Sequence, residues 1–177
     1  MSTDNNLYLT EPNSQLLNSY YEACKETWGY VHNDYIIHNP SFFEQWRNTV
    51  FDEFENQKNG INLPCGYVPS VTFWAVSEGK YIGTVNIRLR LTEKLIDYGG
   101  SIGLAVRKSE RRKGYAAKML KLAVEAAKRL GISPIMATCT DTNEGSLRLL
   151  RSSEFKRTET VQTFADGIFC KVHKFFF

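Results

Sequence analysis

The chain is short of the features that would set it apart from ordinary globular proteins. Four cysteines, Cys24, Cys65, Cys139 and Cys170, are scattered over 177 residues without a C-x-x-C pair. That spacing excludes a zinc ribbon and argues against a disulfide-stapled scaffold, so reduced thiols are expected. His32, His38 and His173 add no metal-ligand spacing, and no metal is expected. No apolar run reaches the length of a bilayer span. Residues 1–18 lack a basic start followed by an apolar stretch, so no export signal is expected and the cytoplasm is the expected compartment. An excess of charge of one sign is missing too. The net charge is only +3, which gives no ground for expecting nucleic acid or a membrane as a partner. Repeats and low-complexity tracts are absent. What remains, 42% apolar and 23% charged residues, fits one domain with a sizeable core.

Against this even background one stretch stands out. Arg107 to Lys113 carries five basic side chains in seven residues, and Gly114 and Ala116 follow at once. Upstream, Gly99-Gly100 precedes the small and apolar run Ser101–Val106, which reads as a fully buried strand. Downstream, Ala116, Met119, Leu120, Ala123, Ala127 and Leu130 recur at helical spacing, with Lys118, Lys121, Glu125, Lys128 and Arg129 mostly opposite. That is an amphipathic helix over 114–130 with Gly131 as its stop. A basic, small-residue turn at a helix start offers bare N–H groups to an anion, and small side chains let a phosphate approach the backbone. The competing reading of such a charge run is a solvated surface.

These residues resemble a known family. Arg111-x-x-Gly114-x-Ala116, after a strand ending in Val106, resembles the acyl-CoA-binding motif of the GNAT superfamily of N-acetyltransferases. Asn143-Glu144-Gly145-Ser146-Leu147-Arg148-Leu149-Leu150, then Phe155, resembles the family's second motif. The resemblance runs from about Val71 to the end. It implies an α+β fold with a mixed, mostly antiparallel central sheet flanked by helices, and a parallel, splayed strand pair at 101–107 and 134–140. It also implies one acetyltransferase domain over 1–177, with an acceptor-side region at 1–70 and a cofactor-binding core at 71–177. Acetyl-CoA is the implied co-substrate, a small-molecule amine the implied partner, and a homodimer is allowed.

The resemblance implies roles residue by residue. The backbone of Leu104, Ala105 and Val106 would pair with the pantetheine arm, the Leu104 N–H facing the thioester carbonyl as an oxyanion donor. The amides from Arg112 through Lys113, Gly114 and Tyr115 to Ala116 would hold the pyrophosphate, with Arg111 shaping the loop. Side chains of Arg107, Arg112 and Lys113 would meet the adenosine phosphates or remain surface charge. Asn143 would contact the cofactor arm, cap its helix, or both. One departure matters. Leu150 stands where many relatives carry a Tyr that protonates the leaving thiolate. Tyr98 is the substitute considered, against a packing role. The general base is unassigned, with Asp97, Asp141, Glu93 and His38 as candidates by type only. A protein or peptide acceptor and a non-catalytic acyl-CoA sensor are the alternatives.

The rest of the chain reads as a short strand at 7–10, a helix over 15–28, and a second helix over 42–57 capped by Ser41 and stopped by Asn59-Gly60. A strand over 71–77 turns at Glu78-Gly79 into a partner in which Val85, Ile87, Leu89 and Leu91 alternate with Thr84, Asn86, Arg88 and Arg90. A strand over 134–140, a helix over 143–152 and two terminal strands near 154–163 and 168–177 complete the reading. Trp28, Tyr30, Tyr35, Phe42, Phe43, Trp46 and Tyr67 are expected to wall the acceptor side.

Overall fold

The computed structural model describes residues 6–26, 44–45, 47–165 and 168–177. Two antiparallel sheets carry the fold. The first has the order β1 (Tyr8–Thr10), β2 (Ser70–Ser77), β3 (Lys80–Arg88), β4 (Ile102–Val106). The second has the order β5 (Met136–Thr140), β7 (Ile168–Phe176), β6 (Lys156–Ala165). Helices α1 (Leu17–Glu26) and α2 (Val50–Asn59) precede β2. Then α3 (Glu93–Asp97) enters β4, α4 (Tyr115–Arg129) joins β4 to β5, and α5 (Glu144–Arg151) joins β5 to β6. This is the expected α+β class, antiparallel sheets flanked by helices.

Local chemistry sets the register. Glu78 and Gly79 both have positive φ, 53° and 70°, the geometry of a tight hairpin turn matched to strand twist. Ser77 therefore faces Lys80, and the pairing runs on to Ser70 against Arg88 around one bulge at Ala75/Val76. On β3, Val85 and Ile87 are fully buried while Thr84, Asn86 and Arg88 are half-buried on the other face. The apolar face receives α4, whose Met119, Ala123 and Ala127 lie one turn apart and are sealed from solvent. Gly83 permits the close approach, since a Cβ there would lie 2.3 Å from the Ala105 carbonyl and 2.8 Å from Met119 Cε. Each large side chain buried on this face contributes about 1.5–3 kcal/mol.

The opposite face carries a second, aromatic core under α1 and α2. Tyr20 stacks on Trp74 at 4.6 Å between ring centroids, and Tyr81 meets both edge-on at 5.1 and 5.7 Å. Such offset and edge-on pairs add about 0.5–1.5 kcal/mol each beyond burial.

The structure departs from the sequence reading at several elements. The expected mixed sheet is split in two, because no ladder joins β4 to β5 among the described residues. Among the described residues, the hydrogen bonds between the two segments are confined to the turn before β4. The Ser101 N–H donates to the Met136 carbonyl at 2.7 Å, Ser101 Oγ accepts from the Met136 N–H at 3.1 Å, and the Gly99 N–H donates to Thr138 Oγ1 at 2.9 Å. Gly100 makes that touch feasible: its φ is +67°, and a Cβ would sit 2.6 Å from the Met136 carbonyl. The segments 101–107 and 134–140 thus touch at their starts, through Ser101 and Met136, and part beyond them, which is the expected splay without a ladder.

Strand β4 is only half-buried beyond Ile102, not fully buried as expected, because one of its faces lines a cavity. Strand β3 ends at Arg88. Leu89 turns its N–H to Pro69, and Thr92 caps α3, so Leu89 and Leu91 leave the sheet. Helix α2 starts at Val50 and runs to Asn59, where Gly60 at φ +73° ends it. Ser41 and the aromatics Trp28, Tyr30, Tyr35, Phe42, Phe43 and Trp46 lie outside the described residues.

Candidate functional site

The site begins with an open strand edge. Strand β4 pairs with β3 so that Arg88 donates to the Ser101 carbonyl and Arg107 to the Ile82 carbonyl. In an antiparallel ladder the hydrogen-bonded pairs alternate with pairs whose N–H and C=O groups face away. The register therefore turns the Ser101 carbonyl and the backbone of Gly103, Ala105 and Arg107 toward β3. It turns the N–H and C=O groups of Ile102, Leu104 and Val106 to the outer edge, where no strand meets them among the described residues. Leu104 and Val106 are two of the residues the sequence singled out.

The basic turn follows directly. A single 3-10 turn at Lys108–Glu110 leads to Arg111, whose Nε donates to the outward Val106 carbonyl at 3.1 Å. Arg112 and Gly114 both take left-handed backbone, φ 67° and 82°. A Cβ on Gly114 would meet no protein atom within 4 Å, so the space before α4 is open. Gly114 is the N-cap of α4 and supplies no side-chain cap. The first N–H groups of that helix, at Tyr115 and Ala116, are left without an intrahelical acceptor. Tyr115 is itself buried, so it can serve a ligand only through its backbone.

The basic side chains divide. Arg107, expected beside the phosphates, points the other way. It forms an ion pair with Glu26 on α1, donates from Nε to Glu26 Oε1 at 2.7 Å, and reaches the Ser19 carbonyl. Burial alone would raise the Glu26 pKa, but the hydrogen bonds from Arg107 and Ser109 outweigh it and hold the carboxyl at about 2. Glu110, buried in the turn, is clamped by Lys80 at 2.6 Å and Lys113 at 2.9 Å. The hydrogen bond from Lys80 leads in holding its carboxyl below the usual range. Lys113 is thus already shared with a carboxylate, whereas Arg112 is exposed and forms no ion pair among the described residues.

A cavity of about 560 Å³ opens on the same side of β4. Its floor is the polar face of the first sheet. Asn86 Nδ2 donates to Ser70 Oγ at 3.0 Å and Thr72 Oγ1 at 3.1 Å, and the Tyr81 and Thr84 hydroxyls share a 2.6 Å hydrogen bond. Arg88 Nη1 donates to the carbonyls of Gly99 and Gly100, at 3.0 and 2.9 Å. Its roof comes from α1, α2 and the segment 65–68 and includes Tyr20, Phe54 and, of the aromatics expected there, Tyr67. Gly103 and Ala105, the small residues of β4, leave room along the strand. Sequence periodicity showed a polar face on β3 but not that it faces a cavity. The repeated Thr84-x-Asn86-x-Arg88 pattern beside the basic turn was the available signal.

Other candidates are placed unevenly. Tyr98 lines the cavity together with Leu104, Val106 and Arg111. Asn143 caps α5, its Oδ1 accepting from the Ser146 N–H at 3.1 Å. Leu150 is 4% exposed and sits in the core. The carboxylates proposed by type are not in the cavity. Asp97 is held by Lys174 at 3.0 Å, and Glu93 and Asp141 are exposed elsewhere. His38 lies outside the described residues. Among the described residues no His, Cys, Asp and Glu group is placed to hold a metal, and no helix is long and apolar enough to cross a membrane.

The chain belongs to the GNAT acetyltransferase family, whose family model matches residues 15–155. Solved structures agree on the fold. RimL, a ribosomal alpha-N-protein acetyltransferase in complex with coenzyme A, is 12% identical with a TM-score of 0.68, covering 98% of this chain and 93% of that one. The spermidine/spermine N-acetyltransferase SpeG from Vibrio cholerae is 13% identical with a TM-score of 0.60, covering 97% and 93%. The microcin C7 self-immunity acetyltransferase MccE, in complex with acetyl-CoA and AMP, is 13% identical with a TM-score of 0.62, covering 98% and 92%. No curated protein sequence matches the chain significantly. The protein is thus an acetyl-CoA-dependent acetyltransferase, with acetyl-CoA as its co-substrate.

Proposed function

We propose that the protein moves an acetyl group from acetyl-CoA to the primary amine of a small molecule, by direct attack with both substrates bound. The open β4 edge carries this reading. Its outward N–H groups at Leu104 and Val106 border a cavity of about 560 Å³, a size suited to a small molecule rather than a protein surface. The donor supplies an activated thioester.

The chain's own groups divide the work. The Leu104 N–H stabilises negative charge developing on the thioester oxygen, and Ala105 and Val106 continue the edge along the pantetheine arm. The turn from Arg112 through Lys113 and Gly114 holds the pyrophosphate with the first amides of α4, at Tyr115 and Ala116. Gly114 fits this role because its Cβ position is open and its backbone left-handed. Arg111 fixes the turn through the Val106 carbonyl. Asn143 serves first as a helix cap and offers its amide nitrogen to the cofactor arm. Residues 1–70 build the acceptor side, and 71–177 the cofactor side, of one domain that works in the cytoplasm.

Two features favour direct transfer. Cys24, the buried cysteine of the cavity, has its thiol pushed up to about 12 by burial, so it is no nucleophile near neutrality. Leu150 has no proton to give, and Tyr98 lines the cavity instead; we assign it the protonation of the departing thiolate. With no carboxylate among the described cavity-lining residues, the amine loses its proton to water. Nearby Arg and Lys charges favour its neutral form. The test is thiol release from acetyl-CoA against a panel of small amines and peptides. Turnover confined to peptides would replace this reading with a protein acetyltransferase. Coenzyme A binding without turnover of any amine would leave a sensor.

A further inference from the structure

We propose that the acceptor amine also carries a carboxylate, and that Arg88 binds it. The inference rests on the proposed function, since it takes the cavity beside β4 as the acceptor site. Three observations carry it.

The first is the charge of the cavity wall. Its lining includes Arg88, Lys94, Arg107 and Arg111, and no Asp or Glu among the described residues. Glu26 neutralises Arg107, and Arg111 serves the turn. Arg88 and Lys94 have no carboxylate partner among the described residues. A polyamine or an aminoglycoside brings several positive charges, and this wall repels them. An amine with an attached carboxylate brings the missing negative charge.

The second is how Arg88 is held. Its Nη1 is committed to the carbonyls of Gly99 and Gly100, which fixes the plane of a half-buried guanidinium. The remaining N–H groups of that fork have no acceptor among the described residues. A carboxylate is the anion whose geometry matches a guanidinium edge. Burial lowers the Arg88 pKa, with Tyr67 opposing, as expected of a cation that lacks its counter-ion.

The third is independent of charge. Trp74 lines the cavity, is fully buried, and has an indole Nε1–H without an acceptor among the described residues. Buried donors rarely go unmatched in folded proteins. Beside it Asn86 spends its amide nitrogen on Ser70 and Thr72, leaving Oδ1 as an acceptor. The indole N–H is sealed beneath the floor, so the groups the floor offers a ligand are the Arg88 donors and the Asn86 acceptor. That polarity suits a carboxylate and an amine on one molecule. Asn86 faces Gly103, next to Leu104, and Arg88 lies two residues further along β3, a distance of about 7 Å. An acceptor with its amine toward Leu104 and its carboxylate toward Arg88 would lie along this floor.

The experiment compares matched acceptors on the wild-type enzyme with acetyl-CoA, following thiol release. Each set holds an amino acid, its carboxamide and the decarboxylated amine, with spermidine alongside. The expected result is a kcat/KM for the carboxylate member at least about 30-fold above its carboxamide, since a site built for one polar group rejects the analogue lacking it. Arg88→Gln should collapse that ratio toward one, chiefly through the KM of the carboxylate member, and Arg88→Lys should restore part of it. If Arg88 only braces Gly99 and Gly100, the variants slow both members equally and the ratio survives, which overturns the assignment. Equal or better turnover of the carboxamide, the decarboxylated amine or spermidine by the wild-type enzyme overturns it as well. So does acceptance of no carboxylate-bearing amine by an enzyme that still binds coenzyme A in calorimetry. Failure to bind coenzyme A would instead strike the proposed function itself.

Discussion

The two faces of the first sheet are built from the same strands and do opposite work. On the α4 side, Val85 and Ile87 meet Met119 and Ala123 with no accessible surface left. On the other side, Thr84, Asn86 and Arg88 alternate with them along β3 and floor a cavity. One face spends its residues on cohesion, and the other keeps polar groups half-buried, fixed by hydrogen bonds among themselves. A period-two strand can hold a dry core and a functional floor one side chain apart. Changes on the sealed face should therefore move stability, and changes around the cavity should move binding and rate.

The largest expected effect tests the sealed face. Met119→Ala removes a fully buried side chain and should cost about 2–5 kcal/mol of unfolding free energy, read from urea denaturation. Coenzyme A affinity of the folded fraction should stay within about twofold. A large affinity loss at unchanged stability would break the division between faces.

Next comes Gly114→Val. The left-handed backbone makes the substitution cost about 1–3 kcal/mol in strain. Its side chain enters space free of protein atoms. Coenzyme A affinity should fall about 100-fold or more in calorimetry while the far-UV spectrum stays native. Wild-type affinity would remove the turn from the cofactor site.

Glu26→Gln cuts the tie between α1 and the end of β4. The Glu26 carboxyl is held at about 2, below its ordinary 4.5, so its contribution is complete above pH 4.5 and fades as pH falls toward 2. The variant should lose about 1–3 kcal/mol near neutrality. It should converge with the wild-type protein only below pH 2, where the Glu26 carboxyl is protonated and both lack the charged pair. A constant gap across that window would show that packing, not charge, holds the helix.

The smallest effect concerns Tyr98. Because a thiolate leaves readily, Tyr98→Phe should lower kcat only about tenfold and remove the alkaline limb of its pH profile. An unchanged profile would pass the protonation to water.

The split between faces also marks where the sequence was legible. Strand β4, the turn at Arg111 to Ala116 and helix α4 are consecutive, so spacing alone located them. The Glu78-Gly79 hairpin was legible for the same reason. Residues whose partners are far away were not. Arg107 is claimed by Glu26 across 81 positions, and Asp97 by Lys174 across 77. Each looked available because a sequence shows charge but not its occupant. The polar side of β3 was visible as alternation. That it faces a cavity depends on α1 and α2 arching over it, and no local pattern encodes that.

The outer edge of β4 has one further consequence. A row of unpaired N–H and C=O groups is a template for any extended chain, and proteins normally shield such edges. Here the edge cannot be closed by β5 without losing its use. The donor's amide-rich arm would then act as a substitute strand, covering in the loaded protein what the fold leaves bare. Binding on that scale carries a thermodynamic dividend, about 2.7 kcal/mol when free ligand stands at 100 times its Kd. The empty protein should be the form that self-associates on heating, so that cellular acetyl-CoA sets its lifetime as well as its turnover.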